Sequence, residues 1–402
     1  MRRPELSLGL TTKPRTLVIS SASHALILRA SPSKQLSVEF LGIDKRTQTG
    51  IKIAPCWGAL GLLEIEQIFL VIVTHATPIG VLQPSQEQIH RVVSVDLFCL
   101  TSTNFDYQQA TRGNLNQSIG NGSNHDAEEP IGPDHPTLNG IKKILSNGQF
   151  YFSSTTSDLS SRTEYRLAPN EDDCSSTRRF SWNSFMLVGL TGFQNGLPIP
   201  NRLEFDRQNF LVSIIQGYVA TYELKLPPPL SSSSVPSTKD EDNNEPISFS
   251  ISLFSRLGSL RAGTRFNTRG IDDDGNVANF VESETLILTN NKLFSFVQIR
   301  GSVPLFFEQS GTGMTNLLNC MHSIVTNDLL SNYHSVQILN LLSSSRDSES
   351  NLTNAYQQRL KSFINDHKEY PEDIVNFVNF DLHHRSKSSG LDGVRQLLIN
   401  DN

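Results

Sequence analysis

The hydrophobic positions in the first hundred residues fall in short runs typical of β-strands. Six such runs are rich in β-branched and aromatic residues and are separated by turn residues: TLVISS, HALILR, LSVEFLGI, ALGLLEI, IFLVIVTHATPIGVL and HRVVSVDLFCL. The series predicts an antiparallel sheet or a barrel-like layer over residues 16–100. The longest apolar stretch, residues 68–73, is too short to cross a bilayer and is predicted to be a buried strand.

The middle of the chain mixes helical and strand periodicity. Residues 138–145 predict a short amphipathic helix, QFYFSS predicts a strand, and the apolar spacing from residue 182 to 187 predicts a second helix. Residues 210–226 predict two strands separated by an interruption at Gly217. Three polar stretches are expected to be loops, disordered inserts or linkers: 108–136, 168–179 and 226–246.

The strand pattern returns at residue 247 in ISFSISLFSR, TRFNTRG, NVANFVESETLIL and SFVQIRG, with the DDDG string predicting a hairpin turn. After residue 305, HSVQILNLL predicts a strand, SNLTNAYQQRLKSFINDH a helix capped by Ser350 or Asn351, VNFVNFDLHHR a strand and LDGVRQLLINDN the start of a helix. This order predicts βαβ units and a parallel sheet.

Composition and charge narrow the possible partners. A chain of 402 residues is long enough for two or three domains, and a net charge of −6 argues against nucleic acid as a partner. The four cysteines (Cys56, Cys99, Cys174 and Cys320) show no metal-binding spacing and are expected to be reduced thiols. The basic N-terminus lacks the apolar segment of a signal peptide, so we expect a cytoplasmic protein. We expect no cofactor and no metal.

An arginine-rich block supplies the candidate chemistry. Arg256, Arg261, Arg265 and Arg269 follow one another at intervals of four or five residues, and a further Arg-Gly pair stands at Arg300. The planar fork of arginine matches phosphate oxygens two at a time, and neighbouring glycines allow the backbone to approach a ligand. In an unbroken strand, the three arginines from Arg261 to Arg269 would share one face. The block predicts a site for a phosphorylated polyanion, the alternative being a solvated strand face with ordinary ion pairs.

Two further groups have competing interpretations. Asp272, Asp273 and Asp274 could be ligands of a hard cation, but DDDGN lacks the later glutamate of a calcium loop and is better interpreted as a turn. Asp381, His383 and His384, at the end of a predicted strand, could form an acid–base pair or bind a metal, and Asp381 and His383 would share a strand face. The alternative is that these histidines are structural or exposed to solvent.

The residues R-x4-RAGTRF-x2-RG-x3-DGNVANFVESE and FVQIRGSVPLFFEQ resemble the signature block of the Sac-domain phosphoinositide phosphatases. FSWNSFML, IIQGYV, HSVQILNLL and VNFDLHHR extend the resemblance, which is greatest to the N-terminal Sac domain of fungal synaptojanin-like proteins. It implies an α+β fold, in which a β-rich N-terminal Sac subdomain (14–190) packs on an α/β cysteine-phosphatase-like catalytic subdomain (191–402).

The same resemblance implies hydrolysis of phosphate from the inositol ring of membrane phosphoinositides through a cysteine phosphoenzyme. The resemblance implies a protein peripheral to membranes that acts in membrane traffic such as endocytosis. Its implied partners are phosphoinositide headgroups at a membrane surface and adaptor proteins. The implied phosphate-binding candidates are Arg256, Arg261, Arg265, Arg269, Arg300, Asp381 and His383.

The catalytic loop of that family, C-x-D-C-L-D-R-T, does not occur in these 402 residues. Six residues after the four cysteines stand Leu62, Phe105, Phe180 and Thr326, so no Cys-x5-Arg phosphate cradle exists here. We therefore expect a fragment with an incomplete catalytic subdomain and no turnover of its own. The alternatives are a catalytically inactive Sac-like adaptor that binds membranes or partner proteins, and an unrelated β-sandwich binding module.

Overall fold

The computed structural model describes a mixed α+β protein. The described residues are 6–12, 14–31, 33–43, 51–103, 105, 136–155, 158–167, 179–226, 247–261, 269–290, 292–310, 313–318, 322–333, 335–368, 370–371, 374–387 and 390. The predicted inserts 108–136, 168–179 and 226–246 lie almost entirely outside these ranges, as do TRFNTRG up to residue 268 and the predicted last helix.

The described strands are β1 Leu6–Thr12, β2 Arg15–Ser20, β3 His24–Ala30, β4 Leu36–Gly42, β5 Ile51–Cys56, β6 Gly58–Ile65, β7 Gln67–Leu82, β8 Glu87–Cys99, β9 Phe150–Ser153, β10 Ile215–Leu226, β11 Ile247–Leu257, β12 Val281–Thr289, β13 Lys292–Arg300, β14 Phe306–Ser310, β15 Gly313–Leu318, β16 Val336–Asn340 and β17 Val375–Asn379. The helices are α1 Pro136–Leu145, α2 Thr163–Leu167, α3 Ser184–Asn195, α4 Ile199–Gln208, α5 His322–Tyr333 and α6 Asp347–Asp366.

Contacts within the chain define two compact units. The first unit comprises Met1–Ser259 and Glu282–Gln298, and the second comprises Leu260–Val281 and Ile299–Asn402. These boundaries reflect packing and differ from the position between residues 190 and 191 that the family resemblance implies. The subdomain boundary stays a prediction. None of the helices described above combines the length and apolar content that a membrane span requires.

The first unit is built on two sheets whose strand order confirms the predicted β-rich N-terminal region. The five-stranded sheet has the order β4-β3-β2-β1-β5, and the eight-stranded sheet has the order β13-β12-β11-β10-β9-β8-β7-β6. All six N-terminal runs form strands, and the pairings of β2 with β3, β3 with β4, β6 with β7 and β7 with β8 are antiparallel. Alternate residues such as Leu17, Ile19, Leu26 and Leu28 enter a common core with Leu70, as the period of two requires.

The segment before β10 corrects one prediction. Residues 210–214 do not form a first strand, because their backbone pairs with β6 and with a buried side chain. The Val212 amide donates to the Ala59 carbonyl (2.8 Å). The side chain of Asn183 donates to the Leu60 and Val212 carbonyls, both at 2.7 Å. At Gly217, with φ +152°, the strand continues and changes its partner from β9 to β11.

The second unit contains the predicted βαβ unit. Strands β16 and β17 are parallel, and α6 connects them. Leu352, Tyr356, Leu360 and Phe363 are buried along one stripe of α6, at the spacing expected of an amphipathic helix. The cap prediction is wrong, because α6 begins at Asp347 and Arg346 occupies the N-cap position.

Candidate anion-binding site

The structure brings the two Arg-Gly pairs of the second unit together. The Gly270 amide donates to the Ser302 hydroxyl oxygen at 2.8 Å. The Ala278 amide donates to the Gly270 carbonyl, and the Ser302 amide donates to the Ala278 carbonyl, both at 2.9 Å. Arg269 directly precedes one of these segments and Arg300 the other, and both side chains are exposed. Two guanidinium groups are thus presented from adjoining backbone segments.

The acidic string between these segments forms a turn, which confirms the preferred interpretation. The Asp272 carboxylate accepts hydrogen bonds from the amides of Asp274 (3.1 Å) and Asn276 (2.8 Å). The Gly275 amide donates to the Asp272 carbonyl at 3.0 Å, and Gly275 has φ +81°. Asp272 is therefore occupied in closing the turn, as an Asx residue commonly is. The predicted hairpin is short here, with one bridge between Ile271 and Val277.

Gly301 holds the second Arg-Gly pair close to the turn. A Cβ atom on Gly301 would lie 3.0 Å from the Cγ1 atom of Val277. Val277, Ala278 and Phe280 are buried and provide an apolar base beneath the two segments. The glycine thus allows a close backbone approach, and the apolar base fixes the position from which Arg300 projects.

Arg256, the first arginine of the block, lies in the interior of the first unit and its side chain is fully buried. Its guanidinium donates to the carboxylates of Glu282 (2.8 Å) and Glu284 (2.6 Å). It also donates to the carbonyls of Leu159 (2.7 Å) and Ser161 (3.2 Å). These protein acceptors occupy its donors, so the position of Arg256 does not support the predicted contact with phosphate.

A second buried ion pair completes this network. Arg166 bonds to the carboxylate of Glu87, and its other amino group donates to the Thr163 hydroxyl at 2.7 Å. The Thr163 amide donates to Glu284 at 2.9 Å. Burial alone would raise the pKa of Glu284, but the charge of Arg256 and the Thr163 amide outweigh it and hold the pKa below its usual value. The network is a structural crosslink between β8, α2, β11 and β12.

One sequence signal could have identified this network. Glu282 and Glu284 share the side of β12 on which Leu286 is buried, since they alternate with Ser283 and Thr285. Two carboxylates on the buried side of a strand require an internal cation. The VESETL pattern therefore indicates that a buried cation is needed. It does not identify the cation as Arg256, because Arg256 stands on a different strand.

The remaining arginines of the block lie at or beyond the edge of the described residues. Arg261 is half-buried, and burial lowers its pKa. Arg265 lies outside the described residues. The predicted alignment of Arg261, Arg265 and Arg269 on one strand face therefore stays a prediction.

Asp381 and His383 do not share a strand face, because β17 ends at Asn379 and residues 382–387 are helical. Asp381 begins that helix, and its carboxylate accepts the His384 amide at 2.8 Å. It also accepts the Ser344 amide (2.7 Å) and the Ser344 hydroxyl (2.8 Å). These bonds, led by the His384 amide, hold the pKa of Asp381 far below its usual value. Asp381 therefore caps this helix and links it to the loop that contains Ser344.

His383 is exposed on the first turn of the same helix, and its charge helps to lower the pKa of Glu349. The main cause of that lowering is the Ser343 amide, which donates to the Glu349 carboxylate at 2.6 Å. Arg346 adds a third contact to Glu349, at 2.8 Å. His383, Asp381 and the 343–346 loop therefore gather at the carboxyl ends of β16 and β17.

The two cysteines in the described part of the chain are unsuited to nucleophilic attack. Cys56 and Cys99 are both buried as free thiols. Burial raises the pKa of Cys56 to about 12, so its thiolate is scarce at neutral pH. Cys174 and Cys320 lie outside the described residues.

Comparison with known proteins identifies the class to which this fold and its arginine block belong. The SacI homology domain family matches residues 57–387. The chain is 30% identical to the inositol-1,4,5-trisphosphate 5-phosphatase 1 of Schizosaccharomyces pombe over 98% of its own length. It is 27% identical to a polyphosphatidylinositol phosphatase of Saccharomyces cerevisiae over 96%, and 26% identical to human synaptojanin-1 over 86%.

The chain therefore belongs to the SacI homology domain family, and the suspected Sac-domain resemblance is confirmed. It spans 36% of the fission-yeast protein, 34% of the budding-yeast protein and 19% of human synaptojanin-1. Most of each relative thus lies beyond the part that these 402 residues match.

Proposed function

We propose that this chain is the phosphoinositide-recognising part of a Sac-type phosphatase. The observation that supports it best is the pairing of the exposed Arg269 and Arg300 segments through the Gly270–Ser302 hydrogen bond at 2.8 Å. This pairing lies within a chain that matches the SacI homology domain over residues 57–387. Two forked guanidinium groups on adjoining segments suit an inositol ring that bears several phosphates.

In a protein that also contains the family's Cys-x5-Arg loop, the reaction would proceed through a phosphocysteine. The thiolate would attack phosphorus and displace the inositol hydroxyl, and water would then release inorganic phosphate from the cysteine. The role of this chain would be to hold the headgroup, with Arg269 and Arg300 neutralising ring phosphates and Arg261 and Arg265 as further candidates. His383, near the end of β17, is a candidate for an additional phosphate contact.

The 402 residues themselves are expected to bind without turnover. No Cys-x5-Arg spacing occurs in the sequence, and Cys56 and Cys99 are buried. Incubation with phosphatidylinositol mono- and bisphosphates should release phosphate only at the background rate. Release well above that of a heat-denatured control would contradict the assignment of a binding role alone.

Binding can be tested with vesicles of phosphatidylcholine that contain a phosphatidylinositol bisphosphate. Arg269→Gln combined with Arg300→Gln should weaken sedimentation with these vesicles by about a hundredfold or more, because each of the two charged hydrogen-bonding groups contributes roughly 1.5–3 kcal/mol. The matched control is Arg202→Gln with Arg207→Gln, which removes two exposed arginines from α4. Equal loss in both variants would indicate general charge attraction and would refute the site.

The second candidate is a catalytically inactive Sac-like adaptor that binds membranes or partner proteins, and exposed arginines on adjoining segments would serve membrane binding without any reaction. The two proposals differ in what they predict for a form that also contains the Cys-x5-Arg loop. Phosphate release by a longer form that includes the Cys-x5-Arg loop would support the enzyme. Binding with no release by that form would support the adaptor.

A further inference from the structure

The sheet end formed by β10, β11, β12 and β13 has one face in the interior of the first unit. Phe254 of β11 and Leu286 of β12 are buried together there, and Leu293 of β13 packs against them. Ser295 of β13 donates to Glu284 on the same side, at 3.4 Å. Because side chains alternate along a strand, the even-numbered residues of β13 lie on the opposite face.

The opposite face, which we call the outer sheet face, presents large apolar side chains to solvent. On β10 the exposed residues of this face have relative exposures between 47% and 59%, and two phenylalanines on β13 reach 56% and 62%. These residues are Tyr218, Tyr222, Leu224 and Leu226 on β10, and Phe294 and Phe296 on β13. Between them, the register places Ser255, Ile251 and Phe249 of β11 opposite Tyr218, Tyr222 and Leu224.

Six large apolar side chains exposed on one sheet face, four on β10 and two on β13, exceed what isolated exposed residues produce. Between them lie half-buried apolar residues of β11 and mainly hydroxyl-bearing residues of β12. Clusters of exposed apolar side chains on soluble proteins mark interaction sites for proteins or membranes. The edge position of β13 leaves Phe294 and Phe296 at the border of the sheet, where a flat partner can reach them.

The charges of the outer sheet face distinguish between these partners. Among its described positions the charged side chains are both basic: Lys292 is exposed at the start of β13, and Arg300 is exposed at the end of the same strand. The other positions are apolar, hydroxyl-bearing or amide side chains, without a carboxylate. Aromatic and aliphatic groups with a basic border and no acidic group suit the interface of an anionic bilayer. Tyr218 and Tyr222 combine an apolar ring with a hydroxyl and suit that depth as well.

We propose that the outer sheet face docks on an anionic lipid surface, with Phe294 and Phe296 entering the acyl boundary. The inference rests on the proposed function, because a phosphoinositide headgroup is available only at a membrane. It assigns the membrane contact to the first unit, on residues other than the arginines proposed to hold the headgroup.

The test uses the full chain and vesicles of phosphatidylcholine with phosphatidylserine, without any phosphoinositide. The wild-type chain is expected to sediment with them and to bind less to phosphatidylcholine alone. Phe294→Ser with Phe296→Ser should weaken binding by about tenfold for each ring, if about half of the exposed ring area leaves water. The matched control is Val188→Ser with Ile199→Ser, which removes exposed apolar groups from α3 and α4. It should bind within about twofold of wild type.

A second measurement reports insertion directly. The Phe296→Trp variant should show tryptophan fluorescence that brominated lipids quench more strongly than that of the wild-type chain. Thermal unfolding of every variant checks that the fold is retained, and exposed positions should change it little.

Three results would overturn the proposal: wild-type chain that stays in the supernatant, equal losses in the phenylalanine and control variants, or no additional quenching at position 296. A wild-type dimer in light scattering that the phenylalanine substitutions dissociate would assign the face to a second copy instead. The proposed function fails separately, because its test depends on Arg269, Arg300 and a phosphoinositide.

Discussion

Removing the charge of Arg256 should lower the free energy of unfolding by more than removing the charge of any exposed arginine does. In the Arg256→Met variant most of the side-chain bulk remains, but Glu282 and Glu284 lose the bonds of 2.8 and 2.6 Å that they receive from the guanidinium. Both carboxylates are at most 1% exposed. Deleting one partner of a buried ion pair costs about 3–5 kcal/mol, because the remaining charge is left without compensation. We expect a decrease of that size in the free energy of unfolding.

Urea denaturation followed by circular dichroism measures this change, provided that the slope with denaturant remains constant. The control is Arg207→Met, whose ion pair with Glu204 (3.2 Å) involves an arginine side chain that is 72% exposed. An exposed pair contributes at most about 1 kcal/mol. Arg256→Met with additional Glu282→Gln and Glu284→Gln substitutions should recover part of the loss. A decrease below about 1 kcal/mol for Arg256→Met would refute the reasoning.

The dependence on pH provides an independent check of the same network. In the wild-type chain the folded pKa of Glu284 is lowered, so its contribution is complete above the unfolded pKa of about 4.3 and is lost as the pH falls through the folded value. Without Arg256, burial should raise the folded pKa of Glu284, and protonation then favours the folded state. The difference in stability between wild type and variant should therefore shrink as the pH falls from 7 towards 5. A constant difference would contradict the proposed origin of the loss.

Three further predictions concern single positions. Gly217→Ala should destabilise the chain by more than about 1 kcal/mol, because the new Cβ would lie 1.8 Å from the Ser255 carbonyl oxygen at φ +152°. The control Gly192→Ala, which has open space in α3, should instead stabilise the chain by about 0.5–1 kcal/mol. Equal shifts of the melting temperature in the two variants would contradict this prediction. Asp381→Ala should speed amide hydrogen exchange in residues 382–387, because it removes the carboxylate that accepts the His384 and Ser344 amides; unchanged exchange would exclude the capping role. In the Cys174→Ser, Cys320→Ser variant, only the buried thiols of Cys56 and Cys99 remain, so the folded chain should not react with a thiol reagent at pH 8. It should react after denaturation. Rapid reaction of the folded chain would contradict the burial of these two thiols.

Local patterns were sufficient for the elements whose hydrophobic period is regular. Strands β2, β3, β4, β6, β7 and β8 coincide with the six short apolar runs, of which β3, β6 and β7 contain consecutive buried residues, and α6 follows a stripe at helical spacing. The parallel pairing of β16 with β17 followed from the strand–helix–strand order. These features depend on residues close together in sequence, and the predictions for them were correct.

The errors arose where a distant contact decided the local structure. Residues 210–214 have a strand-like composition, but Asn183 and the backbone of β6 occupy their hydrogen-bonding groups. The FDLHH string continues the apolar pattern of β17, yet the Asp381 carboxylate accepts amides from the 343–344 loop and from His384 and so begins a helix. Neither partner could be identified from spacing along the chain.

The roles of the arginines in the block also depended on distant contacts that their spacing does not reveal. This affects how substitutions of these arginines should be interpreted. Its regular spacing indicated one phosphate site, but Arg256 belongs to the buried network of the first unit, whereas Arg269 and Arg300 are exposed on the second. A loss of activity on substituting Arg256 would then reflect loss of folded protein, and it would carry no information on the headgroup. A substitution of Arg269 or Arg300 should leave unfolding unchanged and reduce vesicle binding. Only the combination of both measurements separates the two roles, because an activity assay alone would assign all the arginines to one site.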